Sequence, residues 1–260
     1  MYEELGYNYD RFVNWESRLD YEMPFIEGQL HDLRTETGEN LNILDAACGT
    51  GMHAIHLAQK NYRLAGADLS NVMIEKARIN AKNADVSIRF ETAGFGNLNP
   101  TFENDPLFPF DYVLCLGNSL PHILSKKDLN HALLDFASCI KPGRMILIQN
   151  RNFNRVLKNK ERWMEPQSHI SNNNEWIFLR VYDFLENGLI NFYIITLFRK
   201  NNENWNQQVS ETLLYPWLHD ELITMLKEAG FGNITCYGSM TGTVFDPDLS
   251  DNLVITARLI

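Results

Sequence analysis

The sequence predicts a doubly wound α/β fold with a seven-stranded sheet, the last strand antiparallel, and an antiparallel three-stranded insert after the fifth strand. Three observations carry this. From Leu41 to Gln149, short apolar runs alternate with helical patterns, the rhythm of a parallel sheet with right-handed crossovers. From Glu175 to Tyr215 that rhythm gives way to three long segments rich in β-branched and aromatic residues. After Gly230, two closely spaced strands follow with only a loop between them, which cannot be a βαβ crossover.

Residues 1–40 read as helical and aromatic-rich, with Tyr2, Tyr7, Tyr9, Phe12, Trp15 and Tyr21. Two readings stay open there. One is an amphipathic helix covering the sheet; the other is a lid whose tyrosines and Arg18 close over a small ligand. Thr37-Gly38-Glu39-Asn40 turns the chain into the first strand, Leu41 to Ala46. That strand runs into a glycine turn at Gly49 and Gly51, then a helix, then a second apolar strand ending on Asp68. This is the first half of a nucleotide-binding unit: glycine lets the backbone approach a ligand, and the carboxylate can hold ribose hydroxyls.

Ser70 caps the next helix, whose apolar face is Val72, Met73, Ile74, Ala77, Ile79 and Ala81. Val86 to Glu91 is the third strand, and Thr92 to Asn97 a turn where the chain would pass the base. Pro100 to Pro109 reads as a loop. Tyr112 to Leu116 is the fourth strand, ending in Gly117-Asn118-Ser119. Leu129 to Ile140 is helical, Lys141-Pro142-Gly143 a turn, and Met145 to Gln149 the fifth strand. In the insert, Asn187-Gly188 is a strong hairpin signal between Glu175–Phe184 and Leu189–Lys200, and a third strand spans roughly Trp205 to Tyr215. Trp176, Phe178, Arg180, Tyr182 and Phe184 share one face by the period of two. They read as packing the insert onto the main sheet, Arg180 included. Leu218 to Ala229 is a helix, and Ile234 to Tyr237 and Leu253 to Leu259 are the last strands.

The 260 residues are 45% apolar and 22% charged, ample for one core, with a formal net charge of -10. That field repels phosphate backbones, and no Lys/Arg cluster opposes it, so nucleic acid is not an expected partner. No apolar run approaches a membrane span, and Met1 to Asp10 lacks a signal-peptide pattern. Cys48, Cys115, Cys139 and Cys236 form no C-x-x-C pair and read as reduced packing residues of a cytoplasmic protein. His53 and His56 lack further ligands and read as ordinary helix residues, so no metal is expected. Nothing in the sequence sets an oligomeric state.

Gly49-Thr-Gly51-Met-His-Ala54 fits G-x-G-x-x-A, so a dinucleotide site competes. Against it stands Asp45, inside the first strand, where a pyrophosphate would gain nothing from an anion. A carboxylate there suits a cationic ligand, as S-adenosylmethionine is on its ammonium and sulfonium; a buried unpaired carboxylate would otherwise be costly. The insert and the final strand pair also favour the methyl donor over nicotinamide.

These residues resemble a known family. D-A-A-C-G-T-G, Asp68 and C-L-G-N-S-L-P-H are similar to class I S-adenosylmethionine-dependent methyltransferases, whose sheet is Rossmann-like. Within them, C-L-G-N-S together with N-R-N-F at residues 150–153 resembles the glycine and sarcosine N-methyltransferase group, which carries H-R-N-Y at the second place. The resemblance implies that Ala47, Gly49 and Gly51 approach the donor's amino-acid part with Asp45 nearby. It implies that Asp68, with Leu69 beside it, holds the ribose, and that Gly94 and Phe95 lie beside the adenine. Leu116, Ser119 and His122 would line the donor pocket, and Arg18 would meet the donor's carboxylate. Arg151 would hold the substrate's carboxylate, with Tyr7 and Tyr9 as candidate substrate-side tyrosines. Gly94 stands where the family has asparagine, and Asn150 where it has histidine.

The expectation is therefore one methyltransferase domain over residues 1–260, with residues 1–40 a helical cap and residues 151–216 a β insert completing the substrate cap. The activity expected is methyl transfer to nitrogen of a small amine or amino acid, positioned by Arg151 and Tyr9. An O- or S-methyltransferase and an NAD-dependent oxidoreductase remain the alternatives.

Overall fold

A computed structural model describes residues 9–38, 40–201 and 203–260. Two helices open it, α1 (Tyr9–Phe12) and α2 (Trp15–Thr37). Asn14 caps α2 by accepting from the Ser17 amide, and Gly38, at φ 69°, ends it. Met23, Ile26, Leu30 and Leu33 recur at helical spacing and lay one stripe of α2 on the sheet. Tyr2 and Tyr7 lie outside the described residues.

The main sheet is built from β1 (Asn42–Asp45), β2 (Arg63–Asp68), β3 (Arg89–Thr92), β4 (Phe110–Cys115), β5 (Ile140–Arg151), and the late strands β10 (Phe231–Tyr237) and β11 (Asn252–Leu259). Their spatial order is β10-β11-β5-β4-β1-β2-β3. The central strands pair in parallel, and β11 lies antiparallel between β5 and β10, as its loop connection requires. Strands β1 and β4 are buried along their whole length, which is why Ile43-Leu44 and Tyr112 to Cys115 read as continuous apolar stretches rather than alternations. Helices α3 (Met52–Gln59), α4 (Asn71–Asn83), α5 (Leu98–Phe102), α6 (Lys126–Cys139) and α8 (His219–Glu228) complete the layers around it.

A second sheet holds β6 (Gln167–Ser171), β7 (Asn174–Phe184), β8 (Ile190–Lys200) and β9 (Asn206–Leu214) in that order, all antiparallel. Gly188, at φ 83°, turns the β7–β8 hairpin. A small core of Phe153, Val156, Tyr182, Ile190 and Leu214 joins this sheet to α7 (Phe153–Asn159).

Four expectations change. The insert has four strands: Gln-Ser-His-Ile-Ser is too polar to signal a strand, yet it pairs along the edge of β7. The loop after Pro100 begins later than read, because Leu98–Phe102 is helical. Lys141-Pro142-Gly143 does not end an element; β5 absorbs it as an irregularity, the register with β4 shifting between Phe110 and Tyr112. The seven-residue helix α7 follows directly on Arg151, capped by Asn152. Among the described residues no helix is long and apolar enough to cross a membrane.

Candidate active site

The carboxyl ends of β1, β2, β4 and β5 meet at the crevice where open α/β sheets bind ligands. The turn after β1 is held from below. The Gly49 amide donates to Asp68 Oδ2 at 2.9 Å, and the Ser70 amide to Asp68 Oδ1 at 2.9 Å. Asp68 thereby braces the turn through both of its oxygens. Gly49 sits at φ 52° with Tyr9 packed on it; a Cβ there would lie 3.8 Å from the Tyr9 ring. At Gly51, φ 81°, a Cβ would meet Phe90 at 2.9 Å and Ala77 at 3.0 Å, so the space this glycine leaves is taken by the protein's own packing.

Asp45 is the outlier. It is 1% exposed at the end of β1, and neither carboxylate oxygen has a hydrogen-bond partner of good geometry among the described residues. Burial pushes its pKa up to about 7, with Asp68 adding to the rise and the Ala47 amide and Arg18 opposing it. A buried carboxylate so poorly provided for is costly unless a cation pairs with it. The donor set fits an ammonium and sulfonium ligand and not a pyrophosphate.

On the base side, Leu69 is 80% exposed and lies 3.0 Å from where a Cβ of Gly94 would be, so the two residues abut. Phe95 stacks edge-on against Phe136, ring centroids 5.2 Å apart. Asp135 fixes this loop by accepting from the amides of Gly96, Leu98 and Asn99. Leu116 is buried, and its carbonyl accepts from Ser119 Oγ at 2.8 Å. Burial lowers the pKa of His122 to about 4, so it is neutral near pH 7.

Arg18 is organised by a buried network that sequence reasoning missed. Its Nε donates to Glu22 Oε2 at 3.0 Å; His53 Nε2 meets the same oxygen at 2.7 Å; Gln149 Nε2 donates to Glu22 Oε1 at 3.0 Å. Gln149 Oε1 in turn accepts from the Gly117 amide at 3.0 Å, tying α2 to the ends of β4 and β5. Burial alone would keep Glu22 neutral, but His53, Arg18 and Gln149 outweigh it and lower its pKa to about 2. Burial holds the His53 pKa down against Glu22, so the imidazole is neutral and donates. His53 is therefore not an ordinary helix residue. The i,i+4 spacing of Arg18 and Glu22 was the available signal. Asp10 Oδ1 accepts from Thr50 Oγ1 at 2.6 Å and from Trp15 Nε1 at 2.9 Å, latching α1 to the glycine turn. Tyr9 hydrogen-bonds Arg18, and burial raises its pKa.

Beyond Arg18 opens a cavity of about 720 Å³. Tyr9, Arg18, His122, Asn150, Arg151 and Arg180 all line it, so Tyr9 and Arg151 share one chamber. The Arg151 amide donates to Asn118 Oδ1 at 2.8 Å, and its Nη2 lies 3.6 Å from Glu161, whose carboxylate is held closer, at 2.8 Å, by Arg155. Among the described residues Arg151 Nε is buried without a hydrogen-bond partner, and so are both polar atoms of the Asn150 side chain. Arg180 is the correction here. The face it shares with the aromatics packs at its ends but lines the cavity in its middle, alongside Tyr182, Phe192 and Ile194.

The thiols take no part. Burial raises the pKa of Cys48, Cys115, Cys139 and Cys236, the last two to about 12 and about 11, leaving them protonated and unreactive.

Comparison with known proteins agrees with this geometry: residues 43–143 match the methyltransferase domain family. The chain carries a methyltransferase domain of the S-adenosylmethionine-dependent kind. It is similar to the glycine/sarcosine N-methyltransferase of Aphanothece halophytica, 28% identical over 246 residues, covering 92% of this chain and 83% of the relative. The fold is that of an S-adenosylmethionine-dependent methyltransferase from Clostridium acetobutylicum, TM-score 0.75 at 17% identity, covering 99% of this chain and 98% of the other. It is also that of CalS10, an amino pentose methyltransferase from Micromonospora echinaspora solved with S-adenosylmethionine bound, TM-score 0.69 at 14% identity, covering 100% and 97%.

Proposed function

We propose that this enzyme moves the methyl group of S-adenosylmethionine to the nitrogen of a small amine that carries a carboxylate. The observation that supports this best is a single cavity with Arg18 at its donor end and Arg151, its Nε unpartnered, facing the same space. The N-methyltransferase relative supports nitrogen as the acceptor atom. On this reading residues 1–260 act as one domain, with α1, α2 and the β6–β9 sheet forming the acceptor's cap.

The donor supplies an electrophilic methyl on a good, neutral leaving group. The chain's residues have to hold, aim and keep water out. Asp45 takes the donor's positive end, Arg18 its carboxylate, Asp68 with Leu69 its ribose, and Gly94 with Phe95 its base; Ala47, Gly49, Gly51, Leu116, Ser119 and His122 wall it. Arg151 grips the acceptor's carboxylate and Tyr9 bounds the space between the two ligands. In-line attack needs the nitrogen held roughly 3–3.5 Å from the methyl carbon. The nitrogen must be neutral, and burial beside guanidinium groups favours loss of its proton. The orphaned Asn150 oxygen is placed to accept the remaining N–H and so turn the lone pair toward the donor. His122, with a pKa near 4, is too weak a base to take an ammonium proton, so the amine sheds it to solvent before it is enclosed.

Replacing Arg151 by lysine exchanges a two-pronged donor for a single point charge. The KM for a carboxylate-bearing amine is expected to rise at least tenfold, with the donor's dissociation constant unmoved. An unchanged KM would remove Arg151 from the acceptor site. The net charge of -10 and the four free thiols support a cytoplasmic enzyme with no nucleic-acid partner.

A further inference from the structure

The Arg151 site accounts for one acidic group, and the cavity contains a second cation that this reading leaves unused. Arg180 projects from the middle of β7 into the same chamber. Its guanidinium lies over the Phe12 ring at 5.4 Å, Nη2 donates to the Glu165 carbonyl at 3.3 Å, and Nε is buried with no hydrogen-bond partner among the described residues. Among the described residues it makes no ion pair with a carboxylate. Stacking occupies only the face of a guanidinium; the in-plane N–H groups at its edge remain to be used.

Most other charges near the cavity are paired, and Glu165, which also lines it, acts on Arg180 only at a distance, with no ion pair between them among the described residues. Arg18 and Glu22 neutralise each other, and Asp251 is held by Arg155 at 2.6 Å. Glu161 serves Arg155 first, leaving Arg151 only a loose partner. Burial lowers the pKa of Arg180, and Arg151 and Arg18 lower it further by repulsion, with Tyr182 and Glu165 opposing. The phenol of Tyr182, two residues along the strand, feels both Arg151 and Arg180. Two guanidiniums gathered in one partly dry chamber, neither held by a close carboxylate among the described residues, define a place for more than one negative charge. The volume agrees: a chamber of about 720 Å³ falls in the range of drug-sized ligand sites. Even with the donor's amino-acid end beside Arg18, a two-carbon amino acid would leave most of it empty.

Resting on the N-methylation reading above, we propose that the acceptor is an amine carrying two acidic groups, the one nearer the nitrogen held by Arg151 and the second by Arg180. The second group is a carboxylate or a phosphate, since an arginine fork suits both.

The test is methyl transfer by the whole chain, with S-adenosylmethionine, to two sets of amines. The first set has one acid: glycine, sarcosine and L-alanine. The second has two: L-aspartate and L-glutamate, with a second carboxylate, and O-phospho-L-serine, with a phosphate. The wild type is expected to show a kcat/KM at least tenfold higher for the better member of the second set, and that member names the second acid. In Arg180→Met the ratio between sets should fall at least tenfold, through KM rather than kcat, with Arg180→Lys recovering part of it. Donor affinity by calorimetry shows that each variant is folded. Wild-type preference for the one-acid set, or an equal loss on both sets in Arg180→Met, would overturn the second-acid proposal and leave N-methylation standing. Transfer to no amine in either set would overturn both.

Discussion

Asp45→Asn is expected to stabilise the ligand-free protein and to disable donor binding in the same substitution. The wild-type carboxyl ionises at about 7 when folded and at an ordinary 3.8 when unfolded. Between those values the unfolded state holds fewer protons, so wild-type stability falls as pH rises from about 4 to 7. The three-unit gap caps this loss at on the order of 4 kcal/mol. Asparagine carries no charge to bury, so its advantage should grow over that window and level off above pH 7. A gain of several degrees in Tm at pH 8 is expected, at roughly 2–4 °C per kcal/mol for a chain of this size. S-adenosylmethionine affinity should drop by roughly 30- to 1,000-fold, the usual cost of removing one partner of a buried charge pair. Wild-type binding at pH 6 should also release about one proton as Asp45 ionises against the donor. Calorimetry in buffers of different ionisation enthalpy reads this release, and the variant should show none. A variant that loses both stability and affinity would make Asp45 a structural residue.

Glu22→Ala should act in the opposite way on the fold. It leaves the partly buried Arg18 cation without its carboxylate, and His53 and Gln149 without their shared partner. Breaking a buried pair from one side costs about 3–5 kcal/mol, here a Tm drop of about 10 °C at pH 7. Glu22 titrates at about 2 when folded and 4.5 when unfolded. Its contribution is therefore present above pH 4.5 and lost as pH falls toward 2. The gap between variant and wild type should narrow in scanning calorimetry as the buffer is taken from pH 7 to pH 3. Donor affinity should fall too, because Arg18 loses the partner that aims it. A gap of constant size across that range would show that the loss is packing alone.

The donor half of the site was legible because its signals are local. Asp45, Gly49 and Asp68 lie within one strand–turn–helix–strand unit, and a carboxylate four residues before the first glycine already separates a cationic ligand from a pyrophosphate. The network around Glu22 joins α2, α3 and the ends of β4 and β5, residues 127 apart in the case of Gln149. Only its i,i+4 half could be read from spacing. Strand β6 escaped because an edge strand need not be apolar. Arg180 was misassigned for a related reason: period two places it with Trp176 and Tyr182, but cannot say that the middle of that face looks into a cavity while its ends are packed. The cavity beyond Arg18 is assembled from α1, α2, β5 and β7, and no single stretch of sequence contains it.

The most direct test of the account is transfer of an isotopically labelled methyl group from S-adenosylmethionine to a mixed panel of carboxylate-bearing amines, phenols and thiols, with the product atom located by mass spectrometry and NMR. Label on the nitrogen of a carboxylate-bearing amine, lost in Asp45→Asn at donor concentrations that just saturate the wild type, is the predicted result. Label on oxygen or sulfur, or transfer that survives in Asp45→Asn at the wild-type donor KM, would contradict it.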